Sequence, residues 1–142
     1  QNLRLVATAE HIGIREGRRI HGLYTITQED LVDGKKHQDA VCTVTFGVDV
    51  HSVRLAGDLG ASYSRGIRSK PYAIPMRALI AKDVRGLMMA GRCISGDFIA
   101  HSSYRVTGNA VPMGEYAGRV AAIAALSGRL PEDVRWDEVP GR

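Results

Sequence analysis

The fold is decided by two neighbouring stretches, Gly86-Leu-Met-Met-Ala-Gly-Arg-Cys-Ile-Ser95 and His101-Ser-Ser-Tyr-Arg-Val-Thr-Gly-Asn-Ala-Val-Pro-Met-Gly114. Their pattern predicts a short buried strand over Leu87–Ala90, a polar loop, and a helix that starts near Gly108 with Asn109 as its cap. A strand that runs into Gly91-Arg92 and is followed by a helix N-terminus is typical of a chain that approaches a bulky anionic or dipolar cofactor.

The predicted helix is the longest regular element of the chain, with apolar residues recurring every three or four positions. Pro112 would lie in its first turn, where the missing N–H costs nothing, and Gly128 would end it. Small residues such as Gly118 would let a neighbouring strand or a cofactor come close. The polar tail from 132 to 142 is expected to lie over the surface.

The residues before these stretches predict a mixed α/β arrangement. Thr27 with Asp30 three residues later forms a capping box for one short helix that ends at Gly34. Residues 51–71 have no clear period and predict a long connection. Strands are expected, in chain order, over residues 3–9, 23–27, 39–50 with a bend at Gly47, and 72–81.

Composition excludes several classes of function. With 44% hydrophobic and 24% charged residues among 142, the chain reads as one soluble globular domain, and no apolar run approaches a membrane span. The start lacks the apolar stretch of a secretory signal, so a cytoplasmic protein with reduced thiols is expected. A net charge of +4 with two Phe and one Trp gives no stacking platform for nucleic acid.

Two residues just before the predicted helix are candidates for chemistry. His101 and Arg105 are four residues apart. An arginine can clamp a carboxylate and a histidine can donate or accept a proton, so the pair suits an anionic substrate. A chance pairing on the surface is an equally open interpretation.

Other polar residues are given plainer interpretations. Arg15, Arg18 and Arg19 are read as a solvated turn. Cys93 could be a redox thiol, but it has no Cys-x-x-Cys partner, and a small buried residue is the simpler interpretation. No metal site is predicted, because the remaining candidate ligands lack metal-ligand spacing: Cys42, His11, His21 and His37.

Six segments together resemble a bacterial family of FAD-dependent oxidoreductases, within the superfamily of glutathione-reductase-like and fumarate-reductase-like flavoproteins. The resemblance covers about residues 12 to 126, and its specificity lies in the order and spacing of modest motifs. The segments are Gly13–Ile20, Asp49–Ser52, Tyr72–Leu79, Leu87–Ser95, Arg105-Val106 and Gly114–Gly118.

The resemblance implies hydride transfer between FAD and a small, anionic organic substrate. Residues 1–86 would form a substrate-side sheet segment. Residues 87–142 would return to the FAD-binding domain and complete its Rossmann-like fold with the strand and the long helix. Arg105 would face the substrate, with His101 assisting. The residues implied to line FAD are Gly91, Arg92, Ser95, Gly108, Asn109 and Ala110.

The Gly-x-Gly-x-x-Gly fingerprint that opens such proteins does not occur in these 142 residues. The resemblance therefore implies a C-terminal portion whose partner is a missing N-terminal FAD-binding half. Alone, the chain is then expected to be inactive and to bind FAD weakly or not at all. The alternative is a non-catalytic binding or assembly module, and a homodimer could cover the exposed apolar face of the helix.

Overall fold

The computed structural model of the protein describes residues 4–11, 13–51, 62–64 and 66–141. Helices and a small antiparallel sheet confirm a mixed α/β arrangement. The helices are α1 (Gln28–Asp33), α2 (Phe98–Tyr104) and α3 (Thr107–Ser127), and the strands are β1 (Ala40–Val44), β2 (Val50–His51), β3 (Ser62–Tyr63) and β4 (Tyr72–Pro75). Short 3₁₀ helices cover Met76–Ala78, Gly91–Cys93, Pro131–Asp133 and Trp136–Glu138.

The strands form two antiparallel pairs. β1 pairs with β4, with Val44 opposite Tyr72, and β2 pairs with β3, with Val50 opposite Tyr63. All four residues of β4 are buried, and α3 packs on β1. The β1–β4 pair is therefore the surface against which the long helix packs.

The short helix α1 confirms its sequence signals. The Thr27 N–H donates to Asp30 Oδ2 at 3.1 Å, and Gly34 ends the helix with φ 68°, a left-handed conformation that favours glycine. Lys35 Nζ lies 3.0 Å from Asp30 Oδ1. The carboxylate of Asp30 thus serves both the helix start and an ion pair.

α3 starts at Thr107, one residue before the predicted Gly108, but the predicted cap, Asn109, was wrong. Val106, in an extended conformation, precedes the helix and supplies no side-chain cap. Asn109 lies inside the first turn, where its Nδ2 donates to the Tyr104 carbonyl at 3.4 Å. Pro112 is the sixth helical residue and so lies beyond the first turn. The end at Gly128, with φ 65°, is confirmed.

The predicted polar loop before α3 is instead helix α2. Asp97 caps it, with its Oδ1 accepting from the Ala100 N–H at 2.7 Å. The Tyr72 hydroxyl donates to Ser103 Oγ at 3.0 Å, and Ser103 Oγ donates to the Phe46 carbonyl at 2.6 Å. These buried hydrogen bonds fix α2 against the sheet and so position His101 and Arg105, which lie on and just after it.

Two predicted strands are reduced to isolated bridges. The segment predicted over 23–27 has one bridge just before it, from Gly22 to Ala81, and one within it, from Ile26 to Gly96. Residues 87–90 contribute one bridge, from Met88 to Ile80. Residues 4–9 form no strand, and the extended segment 72–81 becomes a 3₁₀ helix after β4. Most of the loose connection predicted over 51–71 lies outside the described residues.

The core of the described residues runs from Ile26 to Val139. Val134 and Val139 of the tail are buried, so the tail packs into the molecule more than its polarity predicted. The Trp136 ring lies 5.3 Å from that of Tyr116 on α3. None of the helices in the described ranges has both the length and the apolar character that crossing a bilayer requires. Fully buried residues from every part of the core include Ile26, Leu31, Val44, Tyr72, Ile74, Leu79, Ile94, Tyr104, Met113 and Val120.

Candidate functional site

A cavity of about 640 Å³ opens at the N-terminal end of α3. Four separate parts of the chain build it: the segment around Arg15, the residue Asp49, the turn at Gly91, and the junction between α2 and α3. Its lining residues are Arg15, Asp49, Ala90, Gly91, Arg92, Cys93, Arg105, Val106, Thr107 and Ala110. We call it the α3 cavity.

Small residues let backbone approach closely on one side of the α3 cavity. Gly91 is buried and has φ +70°, a conformation that L side chains rarely adopt. A Cβ added there would lie 3.5 Å from the Cβ of Ala110. The glycine turn and the first turn of α3 are thus in contact across the cavity wall.

The start of α3 offers backbone donors. The N–H groups of Asn109 and Ala110 both donate to the Val106 carbonyl, at 3.1 and 3.2 Å. Within the described part of the chain, the N–H groups of Thr107 and Gly108 have no acceptor, and no side chain caps the helix. Thr107 lines the α3 cavity, so these donors and the positive end of the helix dipole lie beside it.

Arg105 is a buried cation whose guanidinium group is fixed by two partners. Its side chain is 2% exposed; Nη1 is paired with Glu16, and Nη2 donates to the Asp49 carbonyl at 2.8 Å. Its Nε is buried and has no partner among the described residues. One N–H of a charged group is therefore unsatisfied in a residue that lines the cavity, and such a donor is costly unless a ligand accepts from it.

Positive charge predominates around the α3 cavity. Arg15, Arg92 and Arg105 line it, against one lining carboxylate, that of Asp49. Arg92 is exposed, and its Nη1 donates to the Ile14 carbonyl at 2.8 Å. The Asp49 carboxylate lies 3.1 Å from His51 Nε2. This excess of positive charge on the lining suits an anionic or dipolar ligand.

His101 is a neutral imidazole. It is 1% exposed, and burial, followed by the charges of Arg19 and Arg105, lowers its pKa to about 4. Its Nε2 is buried without a partner in the described residues, and its ring meets that of Tyr104 edge-on at 5.5 Å. Near pH 7 the ring is therefore uncharged, and it takes up a proton only weakly.

The structure brings half of the candidate residues together. Gly91, Arg92, Ala110 and Arg105 line the α3 cavity. The other four lie off its lining. His101 is buried beneath, Gly108 is exposed, Asn109 contacts the Tyr104 carbonyl, and the hydroxyl of the buried Ser95 lies 2.9 Å from that of Thr25.

Sequence reasoning missed three residues of the site. Arg15 was read as part of a solvated turn but lines the cavity, and Glu16 beside it binds Arg105. Asp49 also lines the cavity, and its backbone carbonyl accepts a hydrogen bond from Arg105. All three lie in segments that carry the family resemblance, and this was the available signal for them.

Neither cysteine is in a disulfide. Cys93 lines the α3 cavity and is half-buried, whereas burial raises the pKa of the Cys42 thiol to about 11. In the described ranges, no three His, Cys, Asp or Glu side chains are grouped so that they could hold a metal ion.

A glycine-lined, cationic cavity at an uncapped helix start belongs to the class of sites that bind anionic or dipolar cofactors. The family model of the FAD dependent oxidoreductases matches residues 1–142, and the chain belongs to this family. Searches of curated proteins and of solved structures found no match. Membership implies FAD as the cofactor and flavin redox chemistry as the function.

The residues of the α3 cavity fit a flavin. The unpartnered Nε of Arg105 and the free N–H groups of Thr107 and Gly108 are donors that await an acceptor. Gly91 leaves space that a side chain would fill. A flavin has carbonyl oxygens along one edge, which can accept from these donors. Its flat ring system needs the close approach of backbone that Gly91 allows.

Proposed function

We propose that this chain is the C-terminal part of an FAD-dependent oxidoreductase that transfers hydride between the flavin and a small anionic organic substrate. The α3 cavity would receive the flavin ring. The observation that carries this proposal is the buried, unpartnered Nε of Arg105 beside the uncapped start of α3, in a chain of this family. When bound, the flavin would supply the two-electron acceptor and donor.

The residues of the cavity would stabilise negative charge on the flavin's carbonyl edge. A helix N-terminus contributes about 0.3–2 kcal/mol to an adjacent anion. A full cation at about 4 Å contributes about 4 kcal/mol at an effective dielectric near 20. For a two-electron couple these correspond to roughly 40 mV at most for the helix and roughly 90 mV for the cation. The arginines would therefore raise the reduction potential of the flavin more than the helix does, although Glu16 offsets part of the Arg105 charge.

Arg105 and His101 would have different roles toward the substrate. Arg105 would bind a substrate carboxylate or carbonyl with a guanidinium N–H other than that of Nε, which is assigned to the flavin. His101, neutral and with an unpartnered Nε2, would assist as a proton acceptor or by holding Arg105 in place.

The partner of this chain would be an N-terminal half that carries the nucleotide-binding fingerprint. α3 exposes Val111 and Leu126, which are 66% and 90% accessible, and Gly114 and Gly118 have open space around them. A strand or helix of the missing half could pack closely on this side. The same exposed residues favour the alternative, a non-catalytic assembly module or a homodimer.

The reduction potential of the flavin tests the role of the cations. In the natural full-length gene product, Arg105→Gln is expected to lower the midpoint potential by about 30 to 90 mV, because a stabilising positive charge is lost. Reductive titration with dithionite measures this. Arg92→Gln, at an exposed lining residue, should act in the same direction if the buried variant fails to fold.

Arg68→Gln is the matched control, since Arg68 is exposed and is not among the residues lining the described cavities. Its potential should remain that of the unchanged protein. Equal potentials in all four proteins would contradict the placement of the flavin in the α3 cavity.

A further inference from the structure

A second cavity, of about 470 Å³, lies between the segment 17–21 and the residues Thr25, Ser95 and Gly96. Its polar side chains are those of Arg18, Arg19, His21, Thr25 and Ser95, and none of the described residues lining it is acidic. Its size falls within the range of about 300–1,000 Å³ that is usual for small-molecule sites. It shares no lining residue with the α3 cavity.

The two arginines of this cavity have no carboxylate partner among the residues that the structure describes. In the described ranges, neither Arg18 nor Arg19 forms an ion pair or donates a side-chain hydrogen bond, whereas Arg77 is bound to Asp39 at 2.9 Å. Arg19 is half-buried, and its charge helps to lower the pKa of His101. Two arginines on the lining of one cavity, with no carboxylate on that lining, attract an anion, because each guanidinium group can present paired N–H donors to it.

The hydroxyl pair adds a neutral donor. Thr25 Oγ1 and Ser95 Oγ lie 2.9 Å apart, and either can donate to the other. The pair has two hydroxyl protons and uses one between its own oxygens. No described protein atom accepts the second proton, so the pair keeps one O–H for a ligand. A site with guanidinium and hydroxyl donors, and no carboxylate on its lining, selects an acceptor and disfavours a cation.

We propose that this second cavity binds the oxyanion group, carboxylate or phosphate, of a small ligand through Arg18, Arg19 and the Thr25–Ser95 hydroxyl pair. The backbone supports the arrangement. Ile20 N–H donates to the Cys93 carbonyl at 3.0 Å and Ser95 N–H to the Ala78 carbonyl at 2.9 Å, which hold the two walls together. Binding here does not depend on a flavin, because the two cavities are built from different residues.

Calorimetric titration of the natural full-length gene product at low salt tests the proposal, with inorganic phosphate and succinate as separate probes. We expect saturable binding of at least one probe, and the preferred probe identifies the oxyanion. Arg18→Gln combined with Arg19→Gln should weaken it about tenfold or more. Arg68→Gln, which also removes one exposed positive charge, should leave it unchanged. No saturable binding of either probe, or an equal loss in the control, would overturn the proposal.

Substituting the two hydroxyl residues singly and together gives a second test, because the expected losses of affinity are not additive. Thr25→Val or Ser95→Ala alone leaves one hydroxyl whose proton is free for the ligand, so affinity should stay within about threefold. The double variant removes the donor and should weaken binding about tenfold, which corresponds to about 1.4 kcal/mol. A double variant that binds as well as the unchanged protein, or a single variant that loses as much as the double, would contradict the site. Thr25 is exposed, so its variant should fold even if that of Ser95 does not.

Discussion

At the scale of single residues, the buried His101 links stability to pH. Its pKa is about 4 in the folded chain, against 6.5 for an ordinary histidine, first because it is buried. Between these values the unfolded chain binds more protons, so the free energy of unfolding rises with pH across this window. We expect a contribution of about 3 kcal/mol that is complete above pH 6.5 and lost as the pH falls towards 4.

Urea unfolding of the natural full-length gene product at several pH values measures this slope. His101→Leu cannot bind a proton, so the difference between the two proteins isolates His101 from His37, whose pKa burial also lowers. A variant with the same pH dependence as the unchanged protein between pH 4 and 6.5 would show that His101 is not held neutral by the fold.

Gly96 is required by the ring of Tyr104. A Cβ at Gly96 would lie 2.6 Å from Cε1 of that fully buried ring, whose hydroxyl donates to the Ile94 carbonyl at 3.1 Å. Gly96→Ala is therefore expected to destabilise the protein by about 1–3 kcal/mol. Gly13→Ala, with open space around it, is the control and should change the unfolding free energy by less than about 0.5 kcal/mol. Equal stability of the two variants would contradict the packing of α2.

At the scale of elements, α3 carries an internal proline. Pro112 has no N–H to donate to the carbonyl of Gly108 one turn earlier, and a proline inside a helix costs about 3 kcal/mol relative to alanine. Pro112→Ala should raise the unfolding free energy by about 1–3 kcal/mol in thermal or urea unfolding. Val111→Ala, at the exposed neighbouring position, should change it by at most about 0.7 kcal/mol. Loss of stability in Pro112→Ala would mean that the proline is needed where it lies.

Local signals predicted the elements that depend on local chemistry. The capping pair Thr27 and Asp30 gave α1, and Gly128 gave the end of α3, because both are settled by contacts within a turn of the chain. The cap of α3 was misplaced, and α2 was missed, because α2, capped by Asp97, runs almost directly into α3 at Val106. Only two residues separate the helices, so the sequence shows no clear break between them. The sequence therefore predicted a loop followed by one helix, where the structure has two helices.

Elements that depend on distant partners were predicted less well. Leu23 N–H donates to the Ile80 carbonyl at 3.0 Å, and Met89 N–H donates to the Leu79 carbonyl at 2.8 Å. These segments bind single positions far along the chain and so form bridges in place of strands. The site shows the same limit. Gly91 and Arg105 are recognisable from the sequence, but only the folded chain brings Arg15, Glu16 and Asp49 to them.

At the scale of the whole molecule, α3 adjoins both a cationic cavity and exposed apolar residues. Its N-terminal end adjoins the cationic α3 cavity, while Val111 and Leu126 along its length are exposed. The tail covers another part of the helix through Trp136 and a buried Val139. A cofactor at the helix start and further protein along its exposed side would together account for both features.

The most direct test of the central claim is the mass and visible absorption spectrum of the natural full-length gene product. We expect a chain substantially longer than 142 residues that is yellow and shows the absorption bands of a bound flavin. Release of FAD on denaturation would identify the cofactor. A colourless product that ends near Arg142 and releases no flavin would contradict the claim, and the binding-module alternative would then take its place.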